Sequence, residues 1–359
     1  MKITPIIFET YDRWKRQILE IDDIISIIWT DRYYSPGDFE LVVPATPKNI
    51  AAIKKGYLVG ILRDRAIEQK AAIIEKLVRS VDEEGRKRII ASGRFIGAYL
   101  YRRIISNQTI CTNMTLWGIV SKLATENAIN DTVRTDRNFG NIGLSASSDE
   151  GATIEFAQFT GQNLGGQISE LCEAYKMGWR MKKVGAIYTV EMYQGIDRTT
   201  SQSTNQPAVF SDEDGSLQSI TYSENDSDRV TSAKVAGEGQ GTARKTAWLE
   251  YGYTIPAGYD RYEAYVDARD LSTNDGEIDI EEYKKMMAAR GREAIRDTEH
   301  ILEASATFGP MKYGTDVNLG DLCTIKSTAL GLEIDARLVE VIESIDETGR
   351  YSAIPTFAI

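Results

Sequence analysis

The chain has 359 residues, of which 42% are hydrophobic and 26% charged, with a formal net charge of -11. That length predicts two or three domains around separate cores, and the acidic balance argues against a nucleic-acid-binding surface. No stretch of 18 apolar residues occurs, so hydropathy predicts no membrane-spanning helix and no stable membrane insertion.

The first apolar run, in M-K-I-T-P-I-I-F-E-T-Y-D, is too short for a signal peptide and no small-residue cleavage site follows it. Folding in the cytosol is the expectation. Cys111, Cys172 and Cys323 lie far apart and form no C-x-x-C pair. They read as buried free thiols of a reducing compartment.

Residues 1–110 read as a first β-domain. Ile18 to Trp29 is apolar and β-branched, with Asp22 and Asp23 inside it. A turn over Tyr33 to Asp38 leads to a strand at Phe39 to Val43, stopped by Pro44. Asn49 to Lys55 reads as one helical turn. Gly56 to Ile61, Ala72 to Ser80 and Arg88 to Ile90 complete a meander. In the second of these, Ile73, Ile74, Leu77 and Val78 put apolar groups on both faces, which predicts a strand covered on both sides.

Residues 111–203 read as a small α+β insert. Thr115 is placed to cap a helix reaching about Asn127, with Leu116, Ile119, Val120 and Leu123 on one face. Asn138 to Gly151 reads as loop. A second helix is expected over 166–175 with Ile168, Leu171, Cys172 and Tyr175 inward, then a hairpin around Val184-Gly185. The polar run Thr199 to Gln206 is the best linker candidate. Residues 204–359 read as a second β-domain. It has an acidic turn at Asp212 to Gly215, strands near Ile220 and over Val230 to Val235, and a helix over 278–303. Ile280, Met287, Ala294 and Ile301 recur every seven residues along that helix. Gly291 weakens its middle by about 1 kcal/mol relative to Ala.

One stretch occurs twice. Gly56 to Ile90 aligns without a gap on Gly320 to Ile354 at a constant offset of 264, with ten of 35 positions identical, against roughly two from average composition. The densest match sets S-V-D-E-E-G-R against S-I-D-E-T-G-R. It reads as a hairpin in which Asp opens the turn and Gly85 or Gly349 takes the left-handed position. The shared Gly-x-Leu upstream extends the match, so two related β-domains are expected.

The marks of most enzymes are missing. The one histidine, His300, falls on the polar side of the expected last helix, so no Ser-His-Asp or Cys-His arrangement has a second imidazole to draw on. The nucleophile-elbow, phosphate-loop and H-E-x-x-H patterns do not occur. G-E-G-Q-G at 237–241 is spaced unlike a dinucleotide loop and reads as a hairpin tip or hinge. Asn274-Asp275-Gly276 does not fit a calcium loop, whose first and third positions would fall on Leu271 and Thr273. Trp29, Trp117, Trp179 and Trp248 lie within apolar runs and read as core. No catalytic, cofactor-binding or metal-ligating residue is assigned; the only site residues are the turn glycines, Gly85 and Gly349.

Several segments carry a resemblance. They are G-D-F-E-L-V-V-P-A at 37–45, I-I-E-K-L at 73–77 followed by D-E-E-G, and L-Y-R-R-I at 100–104. Others are Y-Q-G-I-D-R-T at 193–199, V-A-G-E-G-Q-G at 235–241, Y-V-D-A-R-D-L at 265–271 and L-G-D-L at 319–322. In their number and order the chain resembles the siphovirus tail-hub, or tail-tip, proteins of long-tailed phages and prophages.

The resemblance implies an α+β, mainly β fold. Two related tail-tube-like β-barrel or sandwich domains, 1–110 and 204–359, flank the α+β insert domain, 111–203. It implies a non-enzymatic homotrimeric baseplate hub without cofactor or metal, made in the host cytoplasm and placed at the virion tail tip. Three chains with two β-units each would present six similar units to a tail tube ring or distal tail protein. The expected partners also include the tape-measure protein and tip or receptor-binding proteins, with DNA only in transit past an acidic lumen. The alternative readings are a cell-envelope-degrading hydrolase and a host-surface binding module.

Overall fold

The computed structural model describes residues 3–11, 14–63, 66–146, 148–184, 187–252, 254–273 and 278–359. The fold is α+β and mainly β, built from several sheets, with no closed barrel among the described residues. No helix is long and apolar enough to cross a membrane.

The first part of the chain runs β1 (Ile3–Tyr11), β2 (Trp14–Glu20), β3 (Ser26–Arg32), β4 (Asp38–Pro44), α1 (Pro47–Ala52), β5 (Leu58–Arg63), β6 (Ala66–Ile73), β7 (Lys76–Val81) and β8 (Lys87–Arg94). One sheet has the order β2-β1-β5-β6. Because side chains alternate along a strand, this sheet feeds two cores. Ile7, Val59 and Ala72 pack with Trp29, Leu41 and Ile89. Their neighbours Ile6, Leu58 and Ala71 face the middle of the chain.

The middle runs β9 (Thr109–Thr115), α2 (Leu116–Ala124), β10 (Ile142–Leu144), β11 (Thr153–Phe159), α3 (Leu164–Ala174), β12 (Gly178–Val184) and β13 (Ile187–Tyr193). Thr115 Oγ1 accepts the Gly118 N–H at 3.1 Å and caps α2. Leu116, Ile119, Val120 and Leu123 are fully buried, as their spacing predicts. Asn163 caps α3 in the same way. The apolar faces of these helices join one core with Ile6, Leu58 and Ala71, and β12 packs beside β6, so the middle segment lies on the back of the first sheet.

The last part runs β14 (Val209–Ser211), β15 (Leu217–Asn225), β16 (Ser232–Ala236), β17 (Thr246–Glu250), β18 (Glu263–Asp267), α4 (Ile280–Ala294), β19 (Glu299–Ala306), β20 (Leu322–Ser327), β21 (Leu332–Ile345) and β22 (Tyr351–Ala358). β14, β20, β21, β3, β4, β8 and β7 follow one another in a single sheet, with β22 also paired to β21. β16, β17 and β18 form a small sheet under α4, with its own core around Val235, Tyr283 and Met287.

The repeat is structural. β5 and β8 map onto β20 and β22 residue for residue at the offset of 264. The β7–β8 ladder, Lys76↔Ser92 to Val81↔Lys87, becomes Glu340↔Thr356 to Ile345↔Tyr351. Gly56 N–H bonds the Ile74 carbonyl as Gly320 N–H bonds that of Leu338, each at 2.8 Å.

The structure corrects several expectations. Ile18 to Trp29 is not one strand: it breaks at Asp22-Asp23 between β2 and β3, where Asp23 accepts the Asn49 amide at 3.0 Å and Asp22 holds Lys48. Ala72 to Ser80 breaks at Ile74-Glu75, where the chain changes sheets. Ile73 and Ile74 enter different cores, and β7 beyond them is largely exposed rather than covered on both faces.

The last helix ends at Ala294, because Arg296 is captured by a two-way backbone bridge to Val230. Ile301 and His300 therefore lie on β19. Gly291 is a packing requirement, since a Cβ there would come within 2.9 Å of Val235. The Thr199 to Gln206 run is tied down rather than loose, with Gln202 bonded to the backbone of Thr199, Thr204 and Asn205. Trp248 is exposed on the small sheet, beneath Arg261. Gly185 and residues 274–277, on which a hairpin tip and the calcium-like run fall, lie outside the described residues.

Candidate assembly surface

A strand ladder joins the two copies of the repeat inside one chain. β21 pairs antiparallel with β3 from Glu340↔Arg32 to Ile345↔Ile27. Arg32 Nε donates to Glu340 across this seam at 2.7 Å, and its Nη1 donates to Asp38 at 2.6 Å.

Tyr33, just past β3, ties all three parts together. It is fully buried. Its N–H bonds the Val339 carbonyl at 2.9 Å, and its carbonyl accepts the Trp179 N–H at 3.0 Å. Its hydroxyl donates to the Tyr193 carbonyl and accepts the Gly195 N–H. A Cβ on Gly178 or Gly320 would strike its ring within 2.3 Å, so both glycines make room for it. Burial pushes its phenol up, against the pull of Arg337. Two of the motif segments meet beside it. Gly195 lies against the Gly320 backbone, and Asp321 accepts from Ile196 N–H at 3.0 Å and Arg198 Nε at 2.8 Å.

Behind the seam sits a buried ion cluster. Arg63 on β5 grips Glu343 on β21 through two hydrogen bonds of 2.8 Å. It also donates to Glu68 at 2.5 Å, while Tyr351 donates to Glu343. Burial alone would lower Arg63; Glu343 and Glu68 outweigh it and hold the guanidinium above its ordinary range. Asp31, also buried, accepts from Lys70 at 2.6 Å and Tyr313 at 3.1 Å. Periodicity could not reveal the Arg63–Glu343 and Asp31–Tyr313 pairs, because their members lie 280 and 282 residues apart in the chain.

The two turn glycines stand at the tips of equivalent hairpins, Gly85 at φ +78 and Gly349 at φ +79. Each N–H bonds the carbonyl of the turn-opening Asp at 2.9 Å. Nothing lies within 4 Å of an added Cβ at either, so the requirement there is backbone conformation alone. Arg88 and Glu347 link the hairpins at 3.2 Å.

One face of the joint sheet has no core against it. The row Lys76↔Ser92↔Glu40↔Ile28↔Ser344↔Ser352 crosses both copies on the side opposite Trp29 and Leu41. No member of that row belongs to a hydrophobic cluster, and Ile28 stays exposed. The charge of this face is mixed: Arg32, Lys76, Arg88 and Arg94 share it with Asp38, Glu40 and Glu340.

The concave spaces offer little chemistry. A cavity of about 30 Å³ beside Trp179 and Lys70 has room for about one water. A polar groove of about 360 Å³ near Thr109 contains Lys122 and Glu126, which pair with each other. No group of potential metal ligands is assembled among the described residues. Cys172 and Cys323 are free, buried and pushed up to about 12 by desolvation.

The family model of the siphovirus ReqiPepy6 Gp37-like proteins matches residues 7–357. The chain belongs to that family. Its fold is that of phage tail proteins. The prophage MuSo2 43 kDa tail protein of Shewanella oneidensis aligns at 15% identity and a TM-score of 0.57, covering 99% of this chain and 97% of that one. A tail protein of Neisseria meningitidis MC58 aligns at 12% identity and a TM-score of 0.54, with coverages of 99% and 96%. The prophage tail protein gp18 of Listeria monocytogenes aligns at 10% identity and a TM-score of 0.54, with coverages of 99% and 94%. No curated protein sequence matches the chain.

Proposed function

We propose that this siphovirus protein is the structural, non-enzymatic hub of a phage tail tip. Three copies form a ring with six similar β-units around an axis. One side meets the tail tube ring or distal tail protein, and the other meets tip and receptor-binding proteins. The channel passes the tape-measure protein and, in transit, DNA.

The observation that carries this reading is the pair of units that match over β5–β8 and β20–β22 and are joined through the β3–β21 ladder. A chain with two copies of one unit lets a threefold object match a sixfold one. We further propose that residues 1–110 and 204–359 are the ring-forming domains and 111–203 the outer insert, since its core shares Ile6, Leu58 and Ala71 of the first sheet and not the residues that pack with Trp29 and Leu41.

An acidic lumen is not part of the proposal. If the uncovered face lines the channel, its mixed charges make it near-neutral, which suits passage without tight binding. Reconstruction of assembled tail tips tests the reading. Three copies at the hub, with both units of each chain around the channel, are expected. One copy, six copies, or a channel lined by one unit per chain contradicts it.

A further inference from the structure

We infer that β7 of one copy pairs antiparallel with β15 of the next, and that this seam closes the ring. The inference rests on the ring reading above and adds which strands meet and what selects them.

The chain contains its own template. The second half of β21 is the counterpart of β7, as their identical ladders to β22 and β8 establish. Its outer edge is occupied by β3. The outer edge of β7 has no strand beside it among the described residues. Val78 and Val81 are exposed there, at 36% and 63%, and no proline or bulge interrupts the strand. A regular exposed edge of this kind is a template for another strand.

The counterpart of β3 follows from chain order. β3 and β4 form an antiparallel pair that precedes Gly56. β15 and β19 form an antiparallel pair that precedes Gly320, and β19 lies next to β22 without a ladder between them, at the place where β4 pairs with β8 in the first copy. The edge of β15 away from β19 carries no strand among the described residues. Each chain thus has one filled seam, β3 with β21, and the two halves of an unfilled one.

Charge selects the occupant. Inside the chain, β21 brings Glu340 to Arg32 on β3. At the unfilled seam the signs are exchanged. Within the strand β7 carries Lys76 and Arg79, with the acids Asp82, Glu83 and Glu84 in the turn beyond it, while β15 carries Glu224 and is followed by Asp226. Pairing β7 with another β7 would gather four cations on one ladder, and pairing β15 with β15 would gather acids. Like-charge juxtaposition disfavours both. The remaining arrangement is head-to-tail, which closes a ring rather than an isologous dimer.

Cysteine pairing in assembled tail tips tests this. The native cysteines are buried. Val78→Cys is combined in turn with Tyr222→Cys, Ser223→Cys and Glu224→Cys, since a disulfide forms only in the register that brings Cα atoms within about 7 Å. The expected result is that one combination gives a covalent ladder ending at the full ring, while each single variant stays at chain mass. Efficient dimers from Val78→Cys alone overturn the inference. So does the absence of interchain bonds in every combination when images still show a three-copy hub, which leaves the ring reading standing. A hub of one or six copies overturns both. The double variant Lys76→Glu, Arg79→Glu should lower incorporation into tails by about tenfold. Adding Glu224→Lys and Asp226→Lys should restore it, an outcome that misfolding of the first variant cannot produce. Failure of that rescue in chains with unaltered melting counts against the charge argument.

Discussion

The ring of Tyr33 fills space that Gly178 and Gly320 both leave open. Removing it leaves a hole where three parts of the chain join. Tyr33→Ala should therefore cost about 3–5 kcal/mol, the range for a buried aromatic. Tyr33→Phe keeps the packing but leaves the Gly195 N–H and Tyr193 carbonyl without their shared hydroxyl. It should cost about 1 kcal/mol. Denaturant midpoints of the two variants check this. Equal losses would mean that the hydroxyl, not the ring, holds the junction. A β-branched residue at Gly85 or Gly349 is a strain of another kind. It meets no neighbour but must adopt positive φ, a cost of about 1–3 kcal/mol each.

At the scale of elements, the distinctive event is the change of sheet at Ile74-Glu75. The second copy carries the same point as a register irregularity between Leu338 and Glu340, inside an unbroken strand. In the first copy Glu75 stabilises the break. Arg94 holds its carboxylate through bonds of 2.9 and 3.0 Å, with Arg102 behind at 3.5 Å. The Arg94 hydrogen bonds keep Glu75 below the usual carboxylate range. A depressed folded value means that this stabilisation is complete above the unfolded value of about 4.3 and is lost as pH falls through the lower folded value. Glu75→Gln should accordingly cost about 1 kcal/mol at neutral pH, with the difference from the parent vanishing in acid. Paired urea titrations at several pH values measure it; a difference that persists unchanged into acid would assign the effect to packing.

The same elements explain what could be read from residues alone. Helix α2 was legible because its cap and buried face lie within ten residues. The D-E-x-G-R hairpins were legible because turn chemistry is local. The sheet change was not, since successive apolar residues look alike whether a strand is covered on both faces or crosses between two cores. The heptad-like spacing from Ile280 to Ile301 misled because nothing local announces that Val230 captures Arg296. The seam and its ion cluster were out of reach, as Arg63 and Glu343 are 280 residues apart.

For the molecule as a whole, the joint sheet and the small α4 module are separable. The module's core around Val235, Tyr283 and Met287 is distinct from the core around Phe210, Leu338 and Phe357. It enters and leaves the second unit at one place, because Asn225 and Glu299 are directly paired at the open end of the β15–β19 hairpin. A short turn can bridge such a pair. Replacing 228–297 by a glycine-rich turn should therefore leave a chain that unfolds cooperatively, with β15, β19 and the joint sheet intact. The expected losses are the Arg292–Glu155 ion pair and the exposed aromatic face around Trp248. The ion pair is exposed and contributes at most about 1 kcal/mol. Far-UV circular dichroism and thermal melting of the shortened chain check this. A chain that fails to fold, or that melts in two steps where the parent melts in one, would mean that the module braces the second unit rather than hanging from its hairpin.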